Sequence, residues 1–181
     1  MIEGFVRVAA VSPGIRVADC AWNAERIEDA ARAAADRGAR IVVLPELSLT
    51  GYTCGDLFLQ DTLLDSALAA LARLVENSAG REEIVVVGLP LAHGGKLYNV
   101  AAVYSDGELH AFVPKSYLPN YGEFYEQRHF TPAPNGLAYH SFRAVSSDAN
   151  EDDGDEEGPE RESAAGVAVL SIYDVDDDFM D

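Results

Sequence analysis

The sequence predicts an α/β protein: a layered sheet that starts out parallel and ends in an antiparallel addition. Three observations carry this. The runs Ile41-Val42-Val43-Leu44 and Ile84-Val85-Val86-Val87 are apolar without alternation, which reads as strands buried on both faces. Helix-like segments precede each run, with apolar residues recurring at i, i+3, i+4 and i+7. Asp106-Gly107 then separates two strand-like runs, a strong hairpin signal.

Taken in order, Phe5 to Val11 reads as a first strand. Asn23 is placed to cap a helix that runs to about Arg37, with Ile27, Ala30, Ala31 and Ala34 as its apolar stripe. Gly38 supplies a left-handed stop. The strand Ile41–Leu44 follows, so the first unit is strand–helix–strand, which implies parallel pairing through a right-handed crossover. A loop around Gly51 and Gly55 leads to a second helix over about 61–77, whose buried face is Leu64, Ala67, Leu68, Leu71, Leu74 and Val75. A third strand covers Ile84 to Leu89, Gly94-Gly95 makes a turn, and Tyr98–Tyr104 with Leu109–Val113 form the hairpin. Residues 114–135 are irregular but rich in aromatic and charged side chains, which marks a functional loop.

The net charge of −18 is unevenly spread. Residues 1–147 carry 17 acids and 12 bases; residues 148–181 carry the other 14 acids and a single base, Arg161. The acidic run over 146–162 has almost nothing apolar and is expected to be disordered, with one more strand over Gly166–Tyr173. Two regions are therefore expected: a domain over 1–145 and an acidic, largely disordered tail over 146–181. No basic patch suits nucleic acid. No apolar stretch is long enough to span a membrane, and no secretory leader is visible. Cys20 and Cys54 have neither metal spacing nor a disulfide framework, and the four histidines have no ligand-like spacing, so no metal site and a reducing cytoplasm are expected.

Two strands end on proline and then deliver a charge: Leu44-Pro45-Glu46 and Val113-Pro114-Lys115. Proline cannot donate to a ladder, so each strand stops there. A parallel strand empties where ligands bind in α/β proteins. Glu46 and Lys115 are thus candidates for a general base and for an ammonium that stabilises an oxyanion. The bland alternative is a solvent-facing acid and an unrelated surface lysine. Tyr52 and Tyr121 each offer an apolar body and a hydroxyl to a small polar pocket, though ordinary packing explains tyrosines equally well. Cys54 is the thiol nearest to these segments, but a buried structural cysteine is the commoner case.

The segments Leu44-Pro45-Glu46-Leu47-Ser48-Leu49-Thr50-Gly51-Tyr52 and Pro114-Lys115-Ser116-Tyr117-Leu118-Pro119-Asn120-Tyr121-Gly122-Glu123-Phe124-Tyr125-Glu126 resemble the first two catalytic segments of the nitrilase, or carbon–nitrogen hydrolase, superfamily. With Gly51-Tyr52-Thr53-Cys54-Gly55-Asp56-Leu57-Phe58, they resemble most the glutaminase domains of glutamine-dependent NAD synthetases, over about residues 3–130. The resemblance implies an α-β-β-α sandwich and a Glu-Lys-Cys triad. Glu46 would be its general base and Lys115 the stabiliser of the tetrahedral intermediate. Tyr52, Tyr121 and Glu126 would shape the glutamine site. The substrate would be glutamine, with no cofactor for amide cleavage; ATP and deamido-NAD would belong to a separate synthetase domain, and the full-length family would be homo-oligomeric.

The family's nucleophile is a cysteine on a later strand, and no cysteine follows Lys115 here. The chain is therefore expected to be a truncated part of the sandwich, inactive alone. Two rivals stand beside this: a non-catalytic interaction module that uses the acidic tail, and another nitrilase-type amidase with Cys54 as substitute nucleophile.

Overall fold

The computed structural model describes residues 4–133, 142–145 and 169–172. The elements are β1 (Val8–Ala10), α1 (Cys20–Asp36), β2 (Ile41–Val43), a 3-10 turn (Gly55–Leu59), α2 (Asp61–Glu76), β3 (Ile84–His93), β4 (Lys96–Ser105), β5 (Glu108–Pro114), α3 (Glu126–His129), β6 (Phe142–Val145) and β7 (Val169–Ile172). Strands β1 to β5 form one sheet in sequence order: β1, β2 and β3 are parallel, while β3–β4 and β4–β5 are antiparallel. This is the predicted α/β class, and the strand within 166–173 is present as β7, paired with β6. The acidic run over 146–162 lies outside the described residues.

The start of α1 departs from expectation. Asp19 is its cap, accepting a hydrogen bond from the Trp22 backbone at 3.2 Å. Asn23 is fully buried inside the helix instead, where its side chain bridges the backbone of Arg16 and the Leu49 carbonyl (2.9 Å). An amide with donors and an acceptor can join two loops, which a cap does not do. Gly38 stops the helix with φ 86° as expected. In α2 the buried face is rotated slightly: Leu63 and Ala70 are inside, and Leu64 and Leu68 are only partly covered.

Both crossovers advance in the same direction across the sheet, so right-handed connections put α1 and α2 on one face, where they pack together. That face holds the core: Val42, Val85 and Tyr104 in one row across the sheet, Val87, Ala102 and Phe112 in the next. Toward Val8, Ile41 and Ile84 the strands are buried on this face alone among the described residues, whereas at the far end Gly88, Pro90 and Asn99 are buried on the opposite face as well. The opposite face carries Val8, Ile41 and Ile84 in one row, Val43, Val86, Val103 and Ala111 in another. Val8 is 63% exposed and Val113 47%. The unalternating strand pattern predicts cover on both sides; among the described residues the helical layer lies on one side, and the outer strands are left open on the other. An apolar sheet face left in water drives association. The chain is expected to self-associate on a sizing column as concentration rises, and a monodisperse monomer at high concentration would contradict this.

Candidate active site

The site is built where β2 and β5 run out and the antiparallel β4 begins. β2 ends just before Leu44-Pro45, and Glu46 follows in a tight turn in which Leu47 adopts φ 52° and Gly51 donates to the Leu47 carbonyl at 2.7 Å. The turn rests directly on Gly88 of β3: a Cβ there would lie 2.3 Å from the Leu47 nitrogen and 2.9 Å from the Glu46 carbonyl carbon. Only a residue without a side chain lets the two backbones approach so closely. Leu49 then donates to the Gly88 carbonyl at 3.1 Å, which locks the turn on the sheet. Lys115 follows Pro114 at the end of β5, and its backbone donates to the Asn99 carbonyl of β4 at 2.8 Å.

These two anchors bring the predicted acid and amine together. Lys115 Nζ lies 2.6 Å from Glu46 Oε1, and 2.9 Å from both carboxylate oxygens of Glu126. Glu126 is buried, with a side chain only 5% exposed, whereas Glu46 and Lys115 are 40% and 30% exposed. Tyr52 donates its hydroxyl to Glu126 Oε1 at 2.8 Å. The buried carboxylate thus has an ammonium and a phenol as partners, which a buried charge requires. Burial pulls the Lys115 ammonium toward losing its proton, but hydrogen bonds and charge from Glu46 and Glu126 outweigh it, and the net direction is up. Burial, then the bond to Glu126 and its charge, push the Tyr52 hydroxyl well above its ordinary value. Tyr52 stays a neutral donor at any physiological pH.

Four of the five predicted residues therefore meet. Tyr121 does not join them: it is 72% exposed, its ring edge-on to Phe124 at 5.6 Å. One partner is missing from the sequence reading. Asn99, buried on β4, donates its amide to Glu46 Oε1. A polar residue between Tyr98 and Val100 in an otherwise apolar strand is the signal that could have found it. Asn99 shares its sheet face with Ala101 and Val103, so the site lies on the side of the sheet opposite α1 and α2.

Cys54 is not poised for chemistry. It is buried, and its thiol points at the Thr50 carbonyl (3.1 Å) and the Gly51 carbonyl (3.4 Å). Burial raises its pKa, and burial pushes the Cys20 thiol up to about 11. Neither is a thiolate at neutral pH, and the thiolate is the nucleophile. Both should react slowly with a thiol reagent at pH 7 until the protein is unfolded; rapid labelling of Cys54 in the folded chain would contradict the geometry. No group of three or more metal-ligating side chains occurs among the described residues, and no helix among them is long and apolar enough to cross a membrane.

A strand-end carboxylate, hydrogen-bonded and half exposed, can take a proton from an attacking group. An adjacent ammonium held between two carboxylates can donate to a developing oxyanion. The fold that positions this pair is that of an amide-cleaving class: the carbon–nitrogen hydrolase model matches residues 7–174, and the chain belongs to that family. Its relatives narrow the likeness. It is 49% identical over 130 residues to the glutamine-dependent NAD(+) synthetase of Mycobacterium tuberculosis, a match covering 72% of this chain and 19% of that protein. With the Xylella fastidiosa synthetase it shares 39% identity over 133 residues, 73% of this chain and 24% of that one. The chain thus spans about a fifth to a quarter of the length of these curated relatives. A glutamine-dependent NAD(+) synthetase structure from Cytophaga hutchinsonii superposes with TM-score 0.68 at 29% identity, over 81% of this chain and 24% of that one. An amidase from Nesterenkonia sp., solved as a double mutant with acrylamide, gives 0.61 at 26%, over 75% and 52%.

Proposed function

We propose that the chain carries the substrate-binding and acid–base part of a glutaminase site, and that by itself it binds glutamine without hydrolysing it. The observation that carries this is the Lys115 ammonium held between Glu46 and Glu126 at 2.6 and 2.9 Å. Glu46 is the general base, steadied by Asn99. Lys115 stabilises the tetrahedral intermediate. Glu126 and Tyr52 hold Lys115 and frame the pocket; Tyr121 is assigned to glutamine binding by the family segment it matches. The amide carbon would be attacked by a cysteine thiolate, displacing ammonia and leaving a thioester for water to cleave. Cys20 and Cys54 are both buried and protonated, so neither supplies that step. Because members of such a triad act as a unit, a site without the nucleophile loses most of its rate.

The amide step needs no cofactor. In the relatives' context the ammonia would pass to an ATP-dependent unit that amidates deamido-NAD, in a cytoplasmic homo-oligomer. Residues 1–145 carry the hydrolase domain, and 146–181 are an acidic tail that returns β7 to it.

Calorimetric titration with glutamine, alongside an ammonia-release assay, tests this. Binding without ammonia above the blank is the expected result. Robust turnover would refute the missing-nucleophile reading, and no binding at millimolar glutamine would refute the glutamine site. The uncovered apolar face favours a second reading, an interaction module. It predicts that deleting residues 146–181 abolishes a measurable association while glutamine binding is absent throughout.

A further inference from the structure

Glu126 reaches the site from an unusual support. α3 is a single turn, Glu126–His129, at the end of an irregular stretch in which Tyr117, Tyr121 and Tyr125 are all exposed. One helical turn has no intrinsic stability, so tertiary contacts must hold it. Two kinds of contact do. Phe130, just after α3, packs on Phe58 of the 3-10 turn at 5.0 Å, and His129 lies edge-on to the same ring at 5.7 Å. Beside them Asp56, also in the 3-10 turn, receives a bidentate pair from Arg128: Nε to Oδ1 at 2.9 Å and Nη2 to Oδ2 at 3.0 Å. His129 Nε2 meets Asp56 Oδ1 at 3.1 Å. The Arg128 and His129 hydrogen bonds and charges hold the Asp56 carboxyl down at about 2, so it stays ionised across the working range. A fork-to-fork guanidinium–carboxylate pair fixes direction as well as distance.

The same loop that carries Asp56 begins with Tyr52, the phenol that donates to Glu126. The loop over residues 52–59 and α3 are therefore tied inside the site through Tyr52–Glu126, and outside it through the Asp56 and Phe58 contacts. We propose that Asp56 is a positioning residue for the site. It clamps α3 to the 3-10 turn so that the Glu126 carboxylate stays between Lys115 and Tyr52. This rests on the reading that Glu126 and Lys115 belong to one site. Asp56 does not touch Lys115, so its effect must travel through α3.

The chain contains two lysines, Lys96 and Lys115, and this provides an internal reference. Lys96 is exposed in the β3–β4 hairpin. Competitive acylation with a limiting amine reagent at pH 8, read by peptide mass spectrometry, gives the Lys115/Lys96 rate ratio in the folded chain. An ammonium held by two carboxylates acylates slowly, so the ratio starts low. Asp56→Asn is expected to raise it by about threefold, the scale of one exposed but well-formed pair. Asp56→Glu should restore most of the starting value. Glu126→Gln should raise the ratio at least as far, and Asp56→Asn should add little on top of it, because both act on one contact. A purely structural role would lower the thermal midpoint yet leave the ratio unmoved well below it.

A ratio unchanged in both Asp56→Asn and Arg128→Gln, while Glu126→Gln raises it, would overturn the clamp and leave the site intact. A ratio that Glu126→Gln also leaves unmoved would sink the shared site itself, and the clamp with it.

Discussion

Replacing Lys115 with alanine is expected to destabilise the chain by about 2–3 kcal/mol at neutral pH, at and just below the lower end for breaking a buried ion pair because the lysine is partly exposed. The reason is Glu126. Its carboxylate is buried, and Lys115 is the only cation among its described partners; Tyr52 alone would remain. Glu46 is better protected against the same loss, since it faces solvent and keeps Asn99. Glu126→Gln in the Lys115→Ala background should recover part of the stability, because it removes the stranded charge. For a domain of this size the loss corresponds to a midpoint drop of about 5–10 °C. Its pH dependence has a definite sign. The folded-state pKa of Lys115 is raised above the ordinary 10.5, so the stabilisation is fully present below 10.5 and is lost as pH rises through the folded value. The gap between the parent and Lys115→Ala, measured by chemical unfolding, should be constant from pH 7 to 9 and narrow in stronger alkali. A constant gap throughout would mean that packing of the lysine stem, not its charge, is what the variant removes.

Gly88→Ala is expected to cost about 3 kcal/mol, near the upper end for overpacking, and to disturb the site as well. The added methyl meets backbone on three sides: the Leu47 nitrogen at 2.3 Å, and the Glu46 carbonyl carbon and the Pro45 oxygen at 2.9 Å. No flexible side chain can yield, so either β3 or the Pro45–Leu47 turn must move. Moving the turn moves Glu46 away from Lys115 and Asn99. Gly14→Ala is the matching control: a Cβ there meets only the edge of Trp22 at 4.0 Å, and the change should be near neutral. Thermal unfolding of both variants checks this, and equal midpoints would contradict the close approach. The substitution separates the two roles of the position, since the Lys115/Lys96 acylation ratio should also rise in Gly88→Ala and not in Gly14→Ala.

The fold and the heart of the site were readable because their signals are local. Apolar period and turn chemistry placed β2 through β5 and both helices. The Pro-terminated strands placed Glu46 and Lys115, and parallel topology brings such ends to one side. What could not be read depends on contacts between segments distant in sequence. The Asp56–Arg128 pair spans 72 positions, and nothing local marks either residue. Asn23 has the chemistry of a helix cap, yet the cap fell to Asp19, and burial gave Asn23 two loops to join. Phe5 and Val6 carry a strand's composition, but β1 starts only at Val8, where Ile41 offers a partner. Tyr121 matches the family segment, yet it packs on Phe124 and not on the site. The outer strands are the same lesson in reverse: among the described residues Val43 and Ile84 stay exposed, so an apolar run shows that a strand could be buried on both sides, not that both sides have cover.

The most direct test of the central claim is an NMR titration of the lysine side-chain ammonium groups in 15N-lysine-labelled protein. With two lysines the spectrum is simple, and the measured Lys96 curve serves as the comparison. Lys115 is expected to titrate above 10.5 and to fall back toward it in Glu46→Gln. A Lys115 midpoint at or below that of Lys96, unmoved by Glu46→Gln, would mean that the ammonium is not held between two carboxylates, and the glutaminase reading would lose its physical basis.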